Sequence, residues 1–520
     1  MSAEGRALSL SDLYAGLPIP GRSLRAPAGA DLEVVVGGVR HDSRLVEKGD
    51  VFVVRRGKAH DGSAFIDQAL QKGAIALIVE SDAVAQVPEA VPCIIVPDAA
   101  TALAYAADAV YEHPTFSMEV IGVTGTNGKT TTTQLLRSVI DSALGDGTCG
   151  VIGTIGHSIG SEKIESAYTT PEADELARVM KKMRDRGAEY VAMEVSSIAI
   201  ELSRVAAIRF RVAAFTNLTQ DHLDFHGTME NYAKAKAKLF HELGPAMSCI
   251  NIDDAFGKTL AETISSPVLK TSTRRDAGAD FYPRKATFDR EGLRGTIATP
   301  RGDVTFTSRL VGLHNLENVL LCLAIAHALG IDLERAAAGI ANAPGVPGRL
   351  ERCDAPGDDI VVLVDYAHTP DALARVLSAV RFEGSTRVLC VFGCGGDRDP
   401  GKRGPMGAAA AQGADIVIVT NDNPRSEDPA AIARPIVAEL TARGLNALEP
   451  AAIDRASRGY VLELDRDAAI RAAVRSARPG DLVLVAGKGH EDYQITGTTK
   501  KHFDDREVCR AALAERRKEA

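Results

Sequence analysis

The chain has 520 residues, too many for one hydrophobic core, and about three domains is the natural expectation. Its 45% hydrophobic and 25% charged content is ordinary for a globular protein. A net charge of −9 speaks against a general nucleic-acid binder, so any anion site must be built locally from Arg, Lys and backbone N–H groups. Residues 1–22 carry acidic groups without a continuous apolar core, unlike a signal peptide, and no apolar run approaches the ~20 residues of a membrane span; a cytoplasmic protein is expected.

Taken in chain order, short apolar runs at Val51–Val54, Ala74–Val79 and Cys93–Val96, with a helical pattern over Ser63–Lys72, predict a small α/β domain over residues 1–115. Pro114 disfavours helix at the residue before it and marks the boundary. Next, Val120–Val123 runs into Gly125-Thr126-Asn127-Gly128-Lys129-Thr130-Thr131: a strand, a tight loop and a helix start. Such a loop turns N–H groups and a helix dipole toward a phosphate. Lys129 can bridge phosphates and the Thr130 hydroxyl can hold Mg²⁺. Val123 stands where the strict phosphate loop has glycine, so this is a variant loop; a glycine-rich turn without a ligand is the plain alternative.

Strand candidates at Val151–Ile152, Tyr190–Val195 and Val212–Phe215 alternate with helices and predict a parallel, doubly wound sheet over residues 116–345. The stretch Ala279–Leu310 reads as an antiparallel insertion and Val319–Leu329 as a core helix. Glu194 falls at a strand's carboxyl end, where a metal ligand beside the loop is needed; a carboxylate capping the next helix is the plain alternative. Asn217, Asp221, His222, Asp224 and His226 crowd together after another strand. By spacing alone, Lys234, Lys236 and Lys238 read as a solvated helix face.

Four apolar strands at Ile360–Val364, Val388–Phe392, Ile416–Thr420 and Leu482–Ala486 predict a third, Rossmann-like α/β domain over residues 346–520, without a dinucleotide fingerprint. Each ends in a polar, Gly-rich loop, which places Asp365, Arg398, Arg425 and Glu491 along one rim. Two arginines suit carboxylates and Glu491 suits an ammonium, so an amino acid with an extra carboxylate fits. Eight singly scattered cysteines, with no second Cys/His pair near Cys390 and Cys394, read as free thiols.

These motifs together resemble the Mur ligase family, the ATP-dependent amide-forming enzymes of bacterial cell-wall precursor synthesis. The resemblance rests on His41-Asp-Ser-Arg44, Gly125–Thr130, Met193-Glu-Val-Ser-Ser197, Asp221-His-Leu-Asp224, Asp365-Tyr-Ala-His-Thr-Pro370, Gly393–Arg398, Asp422-Asn-Pro-Arg425 and Gly487-Lys-Gly-His-Glu491, and covers nearly the whole chain. It implies three domains that bind in turn a UDP-sugar, ATP and an amino acid. Asp422–Arg425 is similar to the motif of the branch that adds meso-diaminopimelate to the D-glutamate of UDP-N-acetylmuramoyl-L-alanyl-D-glutamate. The alternatives are the lysine-adding branch, or a non-catalytic nucleotide-sugar-binding homologue.

The roles that follow are implied by the resemblance. Ser43 would meet the uridine end, and Thr169, Thr170, Ser196 and Arg204 the muramoyl-dipeptide. Gly125 to Thr131, Asn318, Arg349 and Asp365 would surround ATP, with Lys129 among the catalytic residues. Thr130 and Glu194 would bind one Mg²⁺, and His222 with a carbamylated Lys236 a second. Arg398, Asp422, Asn423, Pro424, Arg425, Gly487 and Glu491 would bind diaminopimelate. A monomer with small-molecule partners, and no nucleic-acid or membrane partner, is expected. Ile198, Leu202, Gln220 and His314 depart from the family's usual residues, which bears on nucleotide-sugar contacts and local packing.

Overall fold

The computed structural model describes residues 7–56, 61–164, 168–275, 277–289, 292–310, 312–355, 357–381 and 387–519. The first six residues of the N-terminal segment therefore lie outside the described residues. Three large sheets follow one another along the chain. The first orders Ser23–Arg25, Cys93–Val96, Ala76–Glu80, Asp50–Val53 and Gly38–Arg40 side by side, parallel except for the Ser23–Arg25 edge. Asp50 pairs with Gly38 and sends its carboxylate to the Glu47 N–H at 2.9 Å, pinning the turn that enters the sheet.

The second sheet has eight strands in the order Val268–Thr271, Met247–Asn251, Phe210–Phe215, Glu119–Thr124, Tyr190–Glu194, Cys149–Gly153, Gly156–Ile159 and Glu162–Ile164. The first six are parallel and the last two form an antiparallel edge. Alternate residues of the parallel strands bury on opposite faces. Ile121, Val123, Ala192, Val212 and Ala214 pack with the helices Lys129–Leu144 and Leu313–Ala328, while Val120, Val191, Met193, Ala213 and Phe215 pack on the other side. Both faces are covered by apolar packing, which is why these strands read as continuous apolar runs. The chain leaves Glu119–Thr124, crosses to Cys149–Gly153, returns to fill the gap with Tyr190–Glu194, then adds Phe210–Phe215 on the far side. Strand order thus reverses at Thr124, and the crevice at such a point is where open α/β sheets bind ligands.

The expected insertion is a three-stranded antiparallel meander of Tyr282–Asp289, Gly292–Thr299 and Gly302–Ser308. The expected core helix begins earlier than its apolar run, at Leu313, because the Gly312 carbonyl opens its first turn. Over Ser63–Lys72 the chain makes a 3₁₀ turn, Gly62–Phe65, before the helix Ile66–Gln71, with Asp61 capping the turn.

The third sheet runs Glu351–Arg352, Val361–Asp365, Leu482–Ala486, Val388–Phe392, Ile416–Val419 and Gly459–Leu462, parallel but for its first edge. The four anticipated strands are its centre. A hairpin, Tyr493–Thr496 with Thr499–His502, lies beyond it. Arg466 is fully buried and paired through two 2.7 Å hydrogen bonds with Asp505, also fully buried. The same guanidinium donates to the carbonyls of Asn421 and Ala486 at 3.0 Å, tying two strand ends to the last helix. All eight cysteines are buried and free, and among the described residues no helix is long and apolar enough to cross a membrane.

Among the contacts that join the first unit to the second are two from the ends of the first unit's strands. Arg55 Nη1 meets Glu172 at 2.6 Å, and His41 Nδ1 meets Asp174 at 2.8 Å. Burial opposes charge on His41, but the hydrogen bond and field of Asp174 outweigh it and raise its pKa; burial works against Asp174 too, yet His41 holds its pKa below the ordinary value.

Two outcomes are expected. Asp505→Asn removes one partner of a buried pair and costs about 3–5 kcal/mol, read as an earlier denaturant transition of the C-terminal part of the chain. The His41–Asp174 contact stabilises fully below the unfolded histidine's pKa, is lost as pH rises through the raised folded value, and fades again as pH falls through the lowered Asp174 value. The difference in Tm between the parent and His41→Gln should therefore be largest in mildly acidic buffer and shrink as the pH is raised through and above neutrality.

Candidate functional site

A cavity of about 240 Å³ opens at the strand reversal. Its floor is the loop Thr126–Thr131, and one wall is Thr154, Thr169, Glu194 and Ser196. Asn217, Asp221 and His222 form a second wall, His314, Asn315, Glu317 and Asn318 a third. Arg349 and the segment Asp365–Thr369 close it from the C-terminal sheet. The sequence-derived residues Thr126 to Thr131, Thr169, Glu194, Ser196, His222, Asn318, Arg349 and Asp365 therefore share one space.

The loop is held from behind. Asn217 accepts from the Asn127 N–H at 2.9 Å and its carbonyl accepts from the Thr126 N–H at 2.8 Å, while the Thr216 hydroxyl donates to Asn127 O at 2.6 Å. Gly128 adopts φ +88°, and an added Cβ there would lie 2.6 Å from Asn318 Oδ1, so the loop can sit against that helix only as glycine. Asn318 also accepts from the Thr132 hydroxyl at 3.3 Å. Its place is thus fixed by the helix that the loop begins.

Two lysines converge beneath the loop. Lys129 Nζ donates to the carbonyls of Gly125 and Thr126, both at 2.9 Å. Lys236, on the helix Met229–His241, is 1% exposed; its Nζ donates to the same Gly125 carbonyl at 2.9 Å and stands 4.3 Å from the Tyr232 ring centre. The solvated-face reading of its spacing does not hold for this residue, because the helix turns it inward. Burial and the nearby Lys129 push Lys236 well below its ordinary value; burial lowers Lys129 as well, with Glu194 and Asp221 opposing.

Glu194 is buried at its strand's end. Its two oxygens accept from the Thr154 N–H at 2.8 Å and the Thr154 hydroxyl at 3.1 Å. A Cβ at Gly153 would come within 2.4 Å of Glu194 Oε1, so the neighbouring strand is bare where the carboxylate passes. Glu194 does not cap the following helix; the Ser196 hydroxyl does, accepting from Ala199 N–H. Thr170 donates to the Glu194 carbonyl at 2.8 Å and accepts from Ser196 N–H at 3.1 Å, and the Thr169 and Thr154 hydroxyls meet at 3.0 Å. His222 has φ +52° and is lowered chiefly by burial, which leaves a neutral ring at neutral pH. His226 instead meets the Ser197 hydroxyl at 2.9 Å and braces the helix behind.

Arg204 does not line the cavity. It donates to the Thr170 carbonyl at 3.0 Å and pairs at 2.5 Å with Glu172, the carboxylate that also holds Arg55. Ser43 lies in the first unit, 5% exposed, with its hydroxyl donated to Gln68 at 2.6 Å. Gln220 is exposed, whereas His314 is part of the cavity wall, pushed down to about 4 by burial and hence neutral. Beside it, burial pushes Glu317 up to about 7.

A second cluster sits at the ends of the C-terminal strands. Asn423 donates to Glu491 at 3.1 Å and accepts from the Ile495 N–H at 2.9 Å. Arg425, at φ +52°, exchanges backbone hydrogen bonds with Ile495 and Gly497, and its guanidinium donates to the Gly396 carbonyl at 2.8 Å. Gly487, at φ +115°, faces Asp422, while Arg398 is exposed on the loop before. Pro424 passes its carbonyl over Gly396, where a Cβ would lie 2.0 Å from that oxygen. Burial, then Asp422, raises Glu491. Reading the sequence did not single out Lys488, which is fully buried at the centre of this cluster, nor Glu172, Thr154 and Arg466. Only the position of Lys488 inside the Gly487–Glu491 motif signalled it.

One segment joins the clusters. The Asp365 carboxylate accepts from Leu350 N–H and Ala367 N–H, each at 2.7 Å. Arg349 reaches the Thr130 hydroxyl at 3.4 Å with its guanidinium over Tyr366. Gly348 packs on Gly489, with the room of a missing Cβ filled by the His490 N. Asp365, expected both along a rim with Arg398 and beside the phosphate loop, is buried and lines the phosphate-loop cavity.

Family models describe residues 35–111 as "Mur ligase family, catalytic domain", 123–326 as "Mur ligase middle domain" and 348–489 as "Mur ligase, glutamate ligase domain". A UDP-N-acetylmuramoyl-L-alanyl-D-glutamate–2,6-diaminopimelate ligase from Gloeobacter violaceus is 46% identical over 93% of this chain and 95% of its own length. The ligase of the same name from Geobacter metallireducens is 44% identical over 94% and 96%. A solved structure of a ligase with that name superposes with a TM-score of 0.70 at 31% identity, covering 98% of this chain and all of the other. At 20% identity a MurF ligase from Thermotoga maritima, solved in complex with ADP, shares the fold with a TM-score of 0.59 over 93% of this chain and 98% of its own. The architecture, the variant phosphate loop and these likenesses agree, and the chain belongs to the Mur ligase family.

Proposed function

We propose that this chain is an ATP-dependent ligase that joins meso-diaminopimelate to the D-glutamate of UDP-N-acetylmuramoyl-L-alanyl-D-glutamate in peptidoglycan precursor synthesis. The observation that carries this reading is the pairing of two built clusters across one joint. A phosphate-loop cavity lies on one side, and an Arg, Asp and Glu cluster suited to a zwitterion with an extra carboxylate lies on the other. The likeness to diaminopimelate ligases over nearly the whole chain supports the same assignment. Residues 1–115, 116–345 and 346–520 then serve the UDP end, ATP and the incoming amino acid. Ser43 meets the uridine end, and Arg204 the dipeptide with Thr169, Thr170 and Ser196.

In this reading the loop N–H groups and Lys129 hold the ATP phosphates, Lys129 exchanging its loop carbonyls for phosphate oxygens. Asn318, Arg349 and Asp365 line the nucleotide's place. A γ-carboxylate oxygen of D-glutamate attacks the γ-phosphorus, forming an acyl phosphate and releasing ADP. The amine nitrogen of diaminopimelate then attacks the acyl carbon; the tetrahedral adduct loses a proton and expels phosphate. Lys129 and Arg349 lie where charge grows on the transferred group. The contact of Arg349 with Thr130 supports a C-terminal unit that closes over the intermediate and excludes water.

The residues present fit Mg²⁺. Hard oxygen donors, the Thr130 hydroxyl and the buried Glu194 carboxylate, line the cavity beside the loop, as suits an ion shared with nucleotide phosphates. Thr130, Glu194, neutral His222 and a carbamylated Lys236 would hold the ions, which supply charge neutralisation on the phosphoryl oxygens. The lowered Lys236 favours the carbamate: a neutral Nζ attacks the carbon of CO₂ and loses a proton to solvent.

Purified protein given ATP and the UDP-muramoyl-dipeptide should release phosphate and form tripeptide with meso-diaminopimelate. Product with L-lysine but none with meso-diaminopimelate would assign the lysine-adding reaction instead, and no ATP turnover with either would leave a binding protein. Arg425→Ala should raise KM for diaminopimelate about 10- to 100-fold by removing charged hydrogen bonds to its carboxylate. Lys236→Ala should lower kcat by about 100-fold or more, and full activity of that variant in added bicarbonate would remove the carbamate role.

A further inference from the structure

Lys488 lies between Gly487 and Gly489 and is fully buried. Its Nζ donates to Asn423 Oδ1 at 3.0 Å and to the Tyr493 carbonyl at 2.6 Å. It stands 3.4 Å from Asp422 Oδ1 and 3.7 Å from Glu491 Oε2. Four oxygens from the Asp422–Asn423 loop, from Glu491 and from the hairpin therefore surround one ammonium. Asn423 extends the set, since its amide donates to Glu491 and its oxygen is shared between Lys488 and Ile495 N–H. Asp422 Oδ1 is buried, and its contact with the ammonium is an ion pair at 3.4 Å without a hydrogen bond.

From this arrangement we infer that Lys488 is a positioning residue for the amine end of the incoming amino acid, its ammonium locking Asp422, Asn423 and Glu491 into one acceptor set. The inference rests on the ligase reading above. The physical argument is charge balance. Two half-buried carboxylates sharing one cluster are harder to keep both ionised without a cation between them. Burial and Asp422 already raise Glu491, and Lys488 opposes that rise. Burial lowers Lys488 in turn, opposed by Asp422, Glu491 and Asp505, with Arg466 acting in the same direction as burial. Arg425 also lies near Glu491 and stabilises its ionised form, and the Tyr493 ring lies 5.6 Å from the ammonium. An ordinary structural lysine would hold the loops together without setting the ionisation of the acceptor carboxylates. Lys488 does both, because the residues it holds are the acceptors.

The test uses the full chain and two variants. Lys488→Met keeps the volume and removes charge and donors; Lys488→Gln keeps a donor for Asn423 and removes the charge. Parent turnover with meso-diaminopimelate is measured first, and its absence would overturn the ligase reading rather than this one. With the parent active, both variants should raise KM for meso-diaminopimelate about tenfold or more, leaving KM for ATP and for the UDP-muramoyl-dipeptide within about twofold. The acidic limb of kcat/KM for the amine should move to higher pH, as one carboxylate of the freed pair takes a proton. If Lys488→Met does not fold, Lys488→Gln carries the measurement. An unchanged KM for diaminopimelate, or an equal loss toward all three substrates, would overturn the inference.

Discussion

The buried carboxylate of Asp365 is the interaction on which the arrangement of the site depends. It ends the first parallel strand of the C-terminal sheet and accepts two backbone N–H groups, one from Leu350 and one from Ala367. Burial raises its pKa, while the adjacent Arg349 guanidinium and the two N–H bonds oppose that rise. Leu350 has φ +47°, a conformation that costs about 1–3 kcal/mol and persists only where neighbours enforce it. The Asp365 bond to its N–H supplies that enforcement. Arg349, one residue earlier, is thereby presented to Thr130 of the phosphate loop, and Gly348 to the Gly487–Glu491 loop. One side chain thus fixes the spacing between the phosphate-loop cavity and the C-terminal cluster.

The charge pattern follows the same logic. A chain with net charge −9 gathers its cations where anions must bind. Lys129 and Lys236 sit on backbone carbonyls, with no carboxylate in direct contact among the described residues, and burial lowers both. For Lys129 that unfavourable burial would be relieved by phosphate oxygens in place of those carbonyls, while at Lys236 it favours the neutral amine that the proposed carbamate needs. The C-terminal cluster is the converse. Its cation Lys488 already has the carboxylates of Asp422 and Glu491 near it, at 3.4 and 3.7 Å.

Much of this was legible in the chain. Glycines and Lys129-Thr130 after an apolar strand leave few physical alternatives, and four apolar runs each ended by polar loops mark the C-terminal sheet. The short strands Gly38–Arg40, Glu351–Arg352 and Gly459–Leu462 were not legible, since edge strands of two to four residues carry no apolar run of their own. The hairpin 493–502 is similarly hidden, because it is half-exposed and draws its place from backbone bonds to Arg425. Lys236 shows the limit of periodicity. Three lysines at alternate positions look equivalent in sequence, yet only one of them is buried under the loop.

By itself the sequence determined the local chemistry: a phosphate loop, its hydroxyl and carboxylate neighbours, and a set of residues for a zwitterionic amino acid. Those depend on short-range order, on strand, turn and helix start, which residue type and spacing encode. Tertiary structure alone decided which side chains meet across long separations. Arg349 reaches Thr130, Glu172 links Arg55 with Arg204, Arg466 pairs with Asp505, and Lys488 gathers the acceptors from three segments. The physical reason is that a charged group's partner is set by where the sheets end and how they dock, which no local pattern records.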